Sequence, residues 1–337
     1  MRLRLSVVDQ APVRKGGTAG EALREAIALA ERAEALGYER YWVAEHHNLP
    51  GIASTSPEIL IGQIAARTHT IRVGSGGVML SHYSALKVAE NFRMLESLFP
   101  GRIDVGLGRA PGSDQRTAAA LAYPGPMRDV RRYPEQIDDL LGFLADDLEA
   151  AHPFHGIRAA PTSGGMPEVW LLGSGLDSAL LAAERGLPFS FAHFFGAHAG
   201  NGPSIVAAYR ERFAASRWCP APQAHIAVMA ICAETEEKAQ YHASSLRLSR
   251  LNLARGVHSG MASPEEALAY PYSPAELDYL ARATMPAVVG SPAQVVAGLE
   301  RLAGEYGTTE IGVVTLCFDF AARVRSYELL AEAFPAG

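Results

Sequence analysis

Cysteine is scarce in this 337-residue chain: Cys219, Cys232 and Cys317 stand far apart. Without a paired spacing they offer neither a disulfide framework nor a cysteine zinc site. Excess positive charge is missing too. The formal net charge of −6 argues against nucleic acid or an anionic membrane held on a general basic surface. No uninterrupted apolar stretch of about 18 residues is present to span a bilayer. The opening MRLRLSVVDQ has only a short apolar run that stops at Asp9, unlike a secretory signal peptide. A cytoplasmic protein is the expectation. There is also no obvious dinucleotide-binding glycine fingerprint.

What is present is a globular composition, 48% apolar and 20% charged, laid out in a regular alternation. Short apolar or β-branched runs occur at RLSVVD (4–9), RYWVAE (40–45), IRVGSGGVML (71–80) and RIDVGLG (102–108). Four more follow at EVWLLG (168–173), PFSFAHF (188–194), HIAVMAIC (225–232) and EIGVVTL (310–316). Bounded by Gly or Pro and too short for helices, they predict strands buried on both faces. Between them lie alanine-rich stretches of helical period. In GEALREAIALAERAEALG (20–37), Leu23, Ile27, Ala30, Ala33 and Leu36 share one face, with Gly37 at the C-cap. Eight β/α alternations imply parallel pairing through crossover helices, and eight is the number at which such a sheet closes. The expected fold is a (β/α)8 TIM barrel, one domain over 1–337, with insertions at about 109–165 and 256–286 after strands four and seven. An open doubly wound sheet is the structural alternative.

Barrel chemistry sits at the C-terminal ends of strands. These ends carry Asp9 and Gln10, Glu45 to His47, Ser75 to Tyr83, Arg109, Ser174 and Gly175, His193 to Phe195, and Phe318 to Phe320. Adjacent histidines on a regular strand point to opposite faces, so His46 and His47 do not share an ion, and no third ligand cluster appears. The pair Gly76–Gly77 permits a flat ligand close to the backbone, an unusual peptide geometry, or simply a bulge. Arg109 among glycines, and Ser174, Gly175 and Ser178 where a helix begins, form together a candidate phosphate clamp.

The run AEHHNLPG…SPEILIGQIAARTHTIRVGSGGVMLSHYSALKVAENFRMLESLFPGRIDVGLGRAPG resembles the bacterial luciferase-like flavin monooxygenases in motif order and spacing. The likeness extends over nearly the whole chain, and is greatest to a subgroup of uncharacterised luciferase-like oxidoreductases. It implies reduced FMN delivered by a separate flavin reductase, then O2 addition to a flavin C4a-hydroperoxide that attacks an aldehyde, a ketone-like or another small organic substrate. By motif, His46 falls at the active-site base, with Glu45 or a neighbour fixing its tautomer. Gly76–Gly77 fall at a non-proline cis peptide beneath the flavin ring. Arg109, Ser174, Gly175 and Ser178 fall at the FMN phosphate, Ser174 replacing a carboxylate. Gln10, His82 and Tyr83, at neighbouring strand ends, are expected at the substrate. Gly108 stands where light-emitting members have a reactive cysteine, so luminescence is not expected. A second phosphate arginine falls to Arg128 or Arg131. The resemblance also implies a homodimer, for which Val88, Phe92, Leu95 and Leu98 supply apolar surface. Two other readings use the same barrel: a deazaflavin-dependent hydride-transfer dehydrogenase, and a non-catalytic flavin-binding protein.

Overall fold

In the computed structural model, described for residues 3–109, 114–162, 164–195, 199–282 and 286–335, ten strands form. They are β1 (Arg4–Asp9), β2 (Arg40–Val43), β3 (Arg72–Ser75), β4 (Val78–Met79) and β5 (Ile103–Gly108). Then come β6 (Glu168–Gly173), β7 (Phe189–Ala192), β8 (Ala224–Cys232), β9 (Ala287–Gly290) and β10 (Glu310–Val314). The strands pair in parallel, and β10 bonds both β1 and β8, which closes the ring. β3 and β4 both pair with β5 and form one stave interrupted at Gly76–Gly77. The ring therefore has the eight staves of a TIM barrel.

β9 was not anticipated. It pairs with Met229–Cys232 of β8, above the point where β7 ends its register at Ala227. Four residues between Pro286 and Ser291 carry too little pattern to stand out inside an interval that reads as an insertion. The first long interval is also less of an excursion than expected. Its helix Tyr133–Ala145 packs on the helix Ala85–Leu98, with Arg93 donating to the Phe143 carbonyl at 3.1 Å. That makes it the crossover helix between β5 and β6. Ala110, Pro111 and Gly112, which close the recognised run, lie outside the described residues.

The helix Ala19–Ala35 shows how local chemistry sets this layer. Thr18 accepts from the Glu21 amide at 3.2 Å, and Glu21 Oε2 accepts from the Thr18 amide at 2.7 Å, a reciprocal capping box. Gly37, at φ 80°, turns the chain out of the helix. Its buried face is Ala22, Ala26, Leu29, Ala30 and Ala33, rotated from the expected one. The small alanines sit at the contact with the barrel, and Leu23, Ile27 and Leu36 pack beside it.

At the N-terminal end, side chains from five staves close the barrel floor. Arg40 donates to Glu310 at 2.8 Å, Asp104 at 2.8 Å and Glu168 at 2.6 Å, and Arg72 also binds Asp104. Trp42 Nε1 donates to the same Asp104 at 2.8 Å. Above these, Trp42, Trp170 and His225 pack ring against ring, all fully buried. Val88, Phe92 and Leu95 are buried within the chain and are not free surface. The exposed apolar side chains of that neighbourhood are Ile59, Met94 and Leu98. Among the described residues no helix is long and apolar enough to cross a membrane.

Candidate active site

A cavity of about 540 Å³ opens at the C-terminal ends of the staves, where a barrel of this kind does its chemistry. Val8, Trp42, Met229 and Val314 give it an apolar base, and Gly76 and Gly77 give it a stretch of bare backbone. The Gly76–Gly77 peptide is cis. A methyl group on Gly77 would lie 2.6 Å from the Gly106 carbonyl oxygen, and one on Gly76 would lie 3.1 Å from Trp42 Cβ. Glycine is thus required on packing grounds, and the wall presents a peptide plane instead of side chains.

His46 lies just past the end of β2 and lines the cavity. Its amide donates to the Ser54 carbonyl at 3.0 Å, which ties it to a loop that itself pairs back on Pro12. Its Nδ1 is buried without a hydrogen-bond partner. Burial, and secondarily the neighbouring His47, lower its pKa to about 4, so the imidazole is neutral at physiological pH. The expected partner, Glu45, is engaged elsewhere. Glu45 is buried, and accepts from Tyr83 Oη at 2.7 Å and from the Met79 amide at 2.9 Å, with His47 Nε2 also 2.7 Å away. The carboxylate therefore organises His47 and Tyr83, and leaves His46 unconstrained at Nδ1. His82 and Tyr83, expected at the substrate, do not line the cavity; His82 stacks edge-on against His47. The 3-10 turn Leu80–His82 carries the chain out of the strand and away from the barrel mouth's cavity lining. Gln10, 9% exposed, does line it.

On the opposite rim the helix Leu176–Glu184 starts at Gly175, which has no side chain to cap it, so its first-turn N–H groups remain available. A methyl group on Gly173 would lie 2.6 Å from Ser178 Cβ, a measure of how closely the turn folds onto the helix. Ser174, Gly175 and Ser178 line the cavity with Arg109. Arg109 Nη1 lies 3.4 Å from Asp177 Oδ2, an exposed pair worth little in itself. A second hollow of about 410 Å³ shares Arg109 and Ser178 and includes Arg131, whose guanidinium is held by Asp129 at 2.5 Å. Arg128 is exposed and does not line it.

The sequence reading missed the wall supplied by the helix Glu236–Ala254, notably Leu246, Arg250 and Leu253. An arginine in a helical pattern reads as solvent-facing, and no local signal marks it otherwise. Among the described residues no group of three His, Cys, Asp or Glu is disposed to hold a metal ion.

A neutral histidine, a glycine wall and an uncapped helix start thus surround one cavity at the C-terminal end of a closed parallel barrel. The sequence profile of the luciferase-like monooxygenases matches residues 3–309, and the chain belongs to that family of enzymes. It is 47% identical over 331 residues to YwcH, an uncharacterised protein of Bacillus subtilis (strain 168), covering 98% of each chain. It is 37% identical over 336 residues to an N-acetyl-S-alkylcysteine monooxygenase of the same organism, again covering 98% of each. Among solved structures, apo-MsnO8 superposes with a TM-score of 0.90 at 40% identity, covering 98% of each chain.

Proposed function

We propose that the chain is a monooxygenase that uses reduced FMN and O2 on a small organic substrate of aldehyde or ketone type. The observation that carries the reading is the polarity of the cavity. An uncapped helix start with Arg109 stands on one rim, and an unpartnered His46 Nδ1 stands on another, with the Gly76–Gly77 backbone in the same wall. These residues fit FMN. The first-turn amides of the helix Leu176–Glu184, the hydroxyls of Ser174 and Ser178, and Arg109 would hold the phosphate. A phosphate also competes well for an arginine whose present partner, Asp177, is 81% exposed. The bare peptides at Gly76–Gly77 would lie against the ring.

Bound reduced flavin with O2 supplies the oxidising chemistry. The chain's own residues do the rest. Val8, Met229, Leu172 and Val314 keep water from the reacting centre. His46, neutral and lining the cavity, accepts and returns a proton. Gln10 is a polar contact for the substrate. As the family resemblance implies, a separate flavin reductase supplies the reduced flavin. Ile59, Met94 and Leu98 support a homodimer through the helices Pro57–Ala65 and Ala85–Leu98; sedimentation giving only a 36.0 kDa species at micromolar concentration contradicts it.

The test is a titration with FMN and riboflavin. FMN should bind more tightly than riboflavin, and Arg109→Ala should weaken FMN alone, by roughly 1.5–3 kcal/mol. Equal affinities of the wild type for the two flavins would sink the phosphate assignment. Oxygen consumption with reduced FMN and a panel of aldehydes, ketones and, in view of the B. subtilis relative, S-alkyl thioethers separates the monooxygenase from a deazaflavin dehydrogenase and from a flavin carrier.

A further inference from the structure

Arg250 is half-buried and has no anion beside it. It lies in the helix Glu236–Ala254 and lines the main cavity, with Leu246 and Leu253 one turn to either side. Its Nε is buried with no hydrogen-bond partner, and its Nη2 meets only the thioether sulfur of Met229, at 3.4 Å. Burial pushes its pKa down, and no carboxylate counteracts that shift.

The other arginines withdrawn from solvent are treated differently. Arg40 has three carboxylates, Arg323 has Asp9 and the Thr315 carbonyl, and Arg93 has Asp146 with two carbonyls. Arg102 and Arg210 each donate to two or more backbone carbonyls. A desolvated guanidinium stays charged and is costly unless it is paired. Arg250 therefore brings a positive charge to a largely apolar cavity and keeps its donors free.

The anion it waits for is not the cofactor phosphate. Arg250 abuts Met229 of β8, whereas Arg109 follows β5, and β6 and β7 stand between those staves in the ring. The two cations thus belong to different sides of the mouth.

We propose that Arg250 is a specificity-determining residue that receives a carboxylate of the substrate, so that the enzyme acts on small organic acids with an apolar body. Leu246, Leu253 and Met229 pack the body, and the guanidinium fork takes the carboxylate through charge-assisted hydrogen bonds. The inference rests on this cavity being the substrate site, as in the function proposed above, but not on which flavin fills it.

Calorimetric titration of the full-length protein with octanoate and with uncharged octanamide tests it. The wild type should bind octanoate about ten- to a hundred-fold more tightly than octanamide, the scale of one charge-assisted contact. Arg250→Met should abolish the preference, and Arg250→Lys should keep part of it. FMN titrated into Arg250→Met should bind as it does to the wild type, and melting curves check that each variant is folded. Equal binding of the two ligands by the wild type, or a preference that survives in Arg250→Met, overturns the proposal. So does a preference lost in Arg109→Ala but kept in Arg250→Met, because the anion then sits in the phosphate pocket. A wild type that prefers octanoate yet fails to bind FMN sinks the FMN reading and leaves the role of Arg250 standing.

Discussion

Replacing His46 by Asn separates its electrostatic cost from its chemical use. Burial lowers the imidazole pKa from 6.5 to about 4. Between those values the unfolded chain binds a proton at this position and the folded chain does not, so stability falls as the pH drops through the window and is complete above it. At pH 5 the unfolded imidazole is almost wholly protonated and the folded one only about a tenth. The difference costs the wild type about 2 kcal/mol relative to pH 7. His46→Asn has no such term. Buried His225, also lowered to about 4, contributes equally to both proteins and cancels. Urea unfolding at pH 7 and pH 5 should therefore show the wild type losing about 2 kcal/mol more than the variant. Turnover should fall about 10²–10⁴-fold in the variant, the usual contribution of a positioned acid or base, while FMN still binds. Parallel pH–stability profiles would refute the buried neutral imidazole. Unchanged turnover would remove the proton-transfer role and leave His46 as packing.

Two further substitutions probe the surroundings. His47→Ala removes the ring beside the buried Glu45 carboxylate and should destabilise the fold by about 1–3 kcal/mol, seen as a lower urea midpoint, with turnover changed far less than in His46→Asn. Gly173→Ala places a methyl group 2.6 Å from Ser178 Cβ; it should displace the helix start and weaken FMN binding, leaving riboflavin affinity near that of the wild type, and an unaltered ratio of the two affinities counts against the cradle.

The barrel was legible because its signal is periodic and repeated. β1 and β6 have the expected bounds, since Asp9 and Gly173 close their apolar runs sharply. β9 was invisible because four residues carry no period. At the site, His46, Gly76, Gly77, Arg109, Ser174, Gly175 and Ser178 all line one cavity, because strand ends in a closed barrel converge whatever the loops do. His82 and Tyr83 fall outside the lining, and Glu45 bonds Tyr83 and His47 in place of His46, because these residues lie beyond regular strand, where sequence position does not fix a side chain's direction. Arg250 was unreadable in principle: its burial comes from a helix folding over a cavity that the sequence does not display.

The floor gives the site a traffic rule. Arg40, Asp104 and Glu310, with Trp42, Trp170 and His225 stacked above them, stopper the barrel, each residue 3% exposed or less. Whatever enters the cavity cannot pass on through the barrel axis. A barrel stoppered in this way is a cup and not a channel, so under the function proposed above cofactor, gas and substrate would all be received on one face of the barrel.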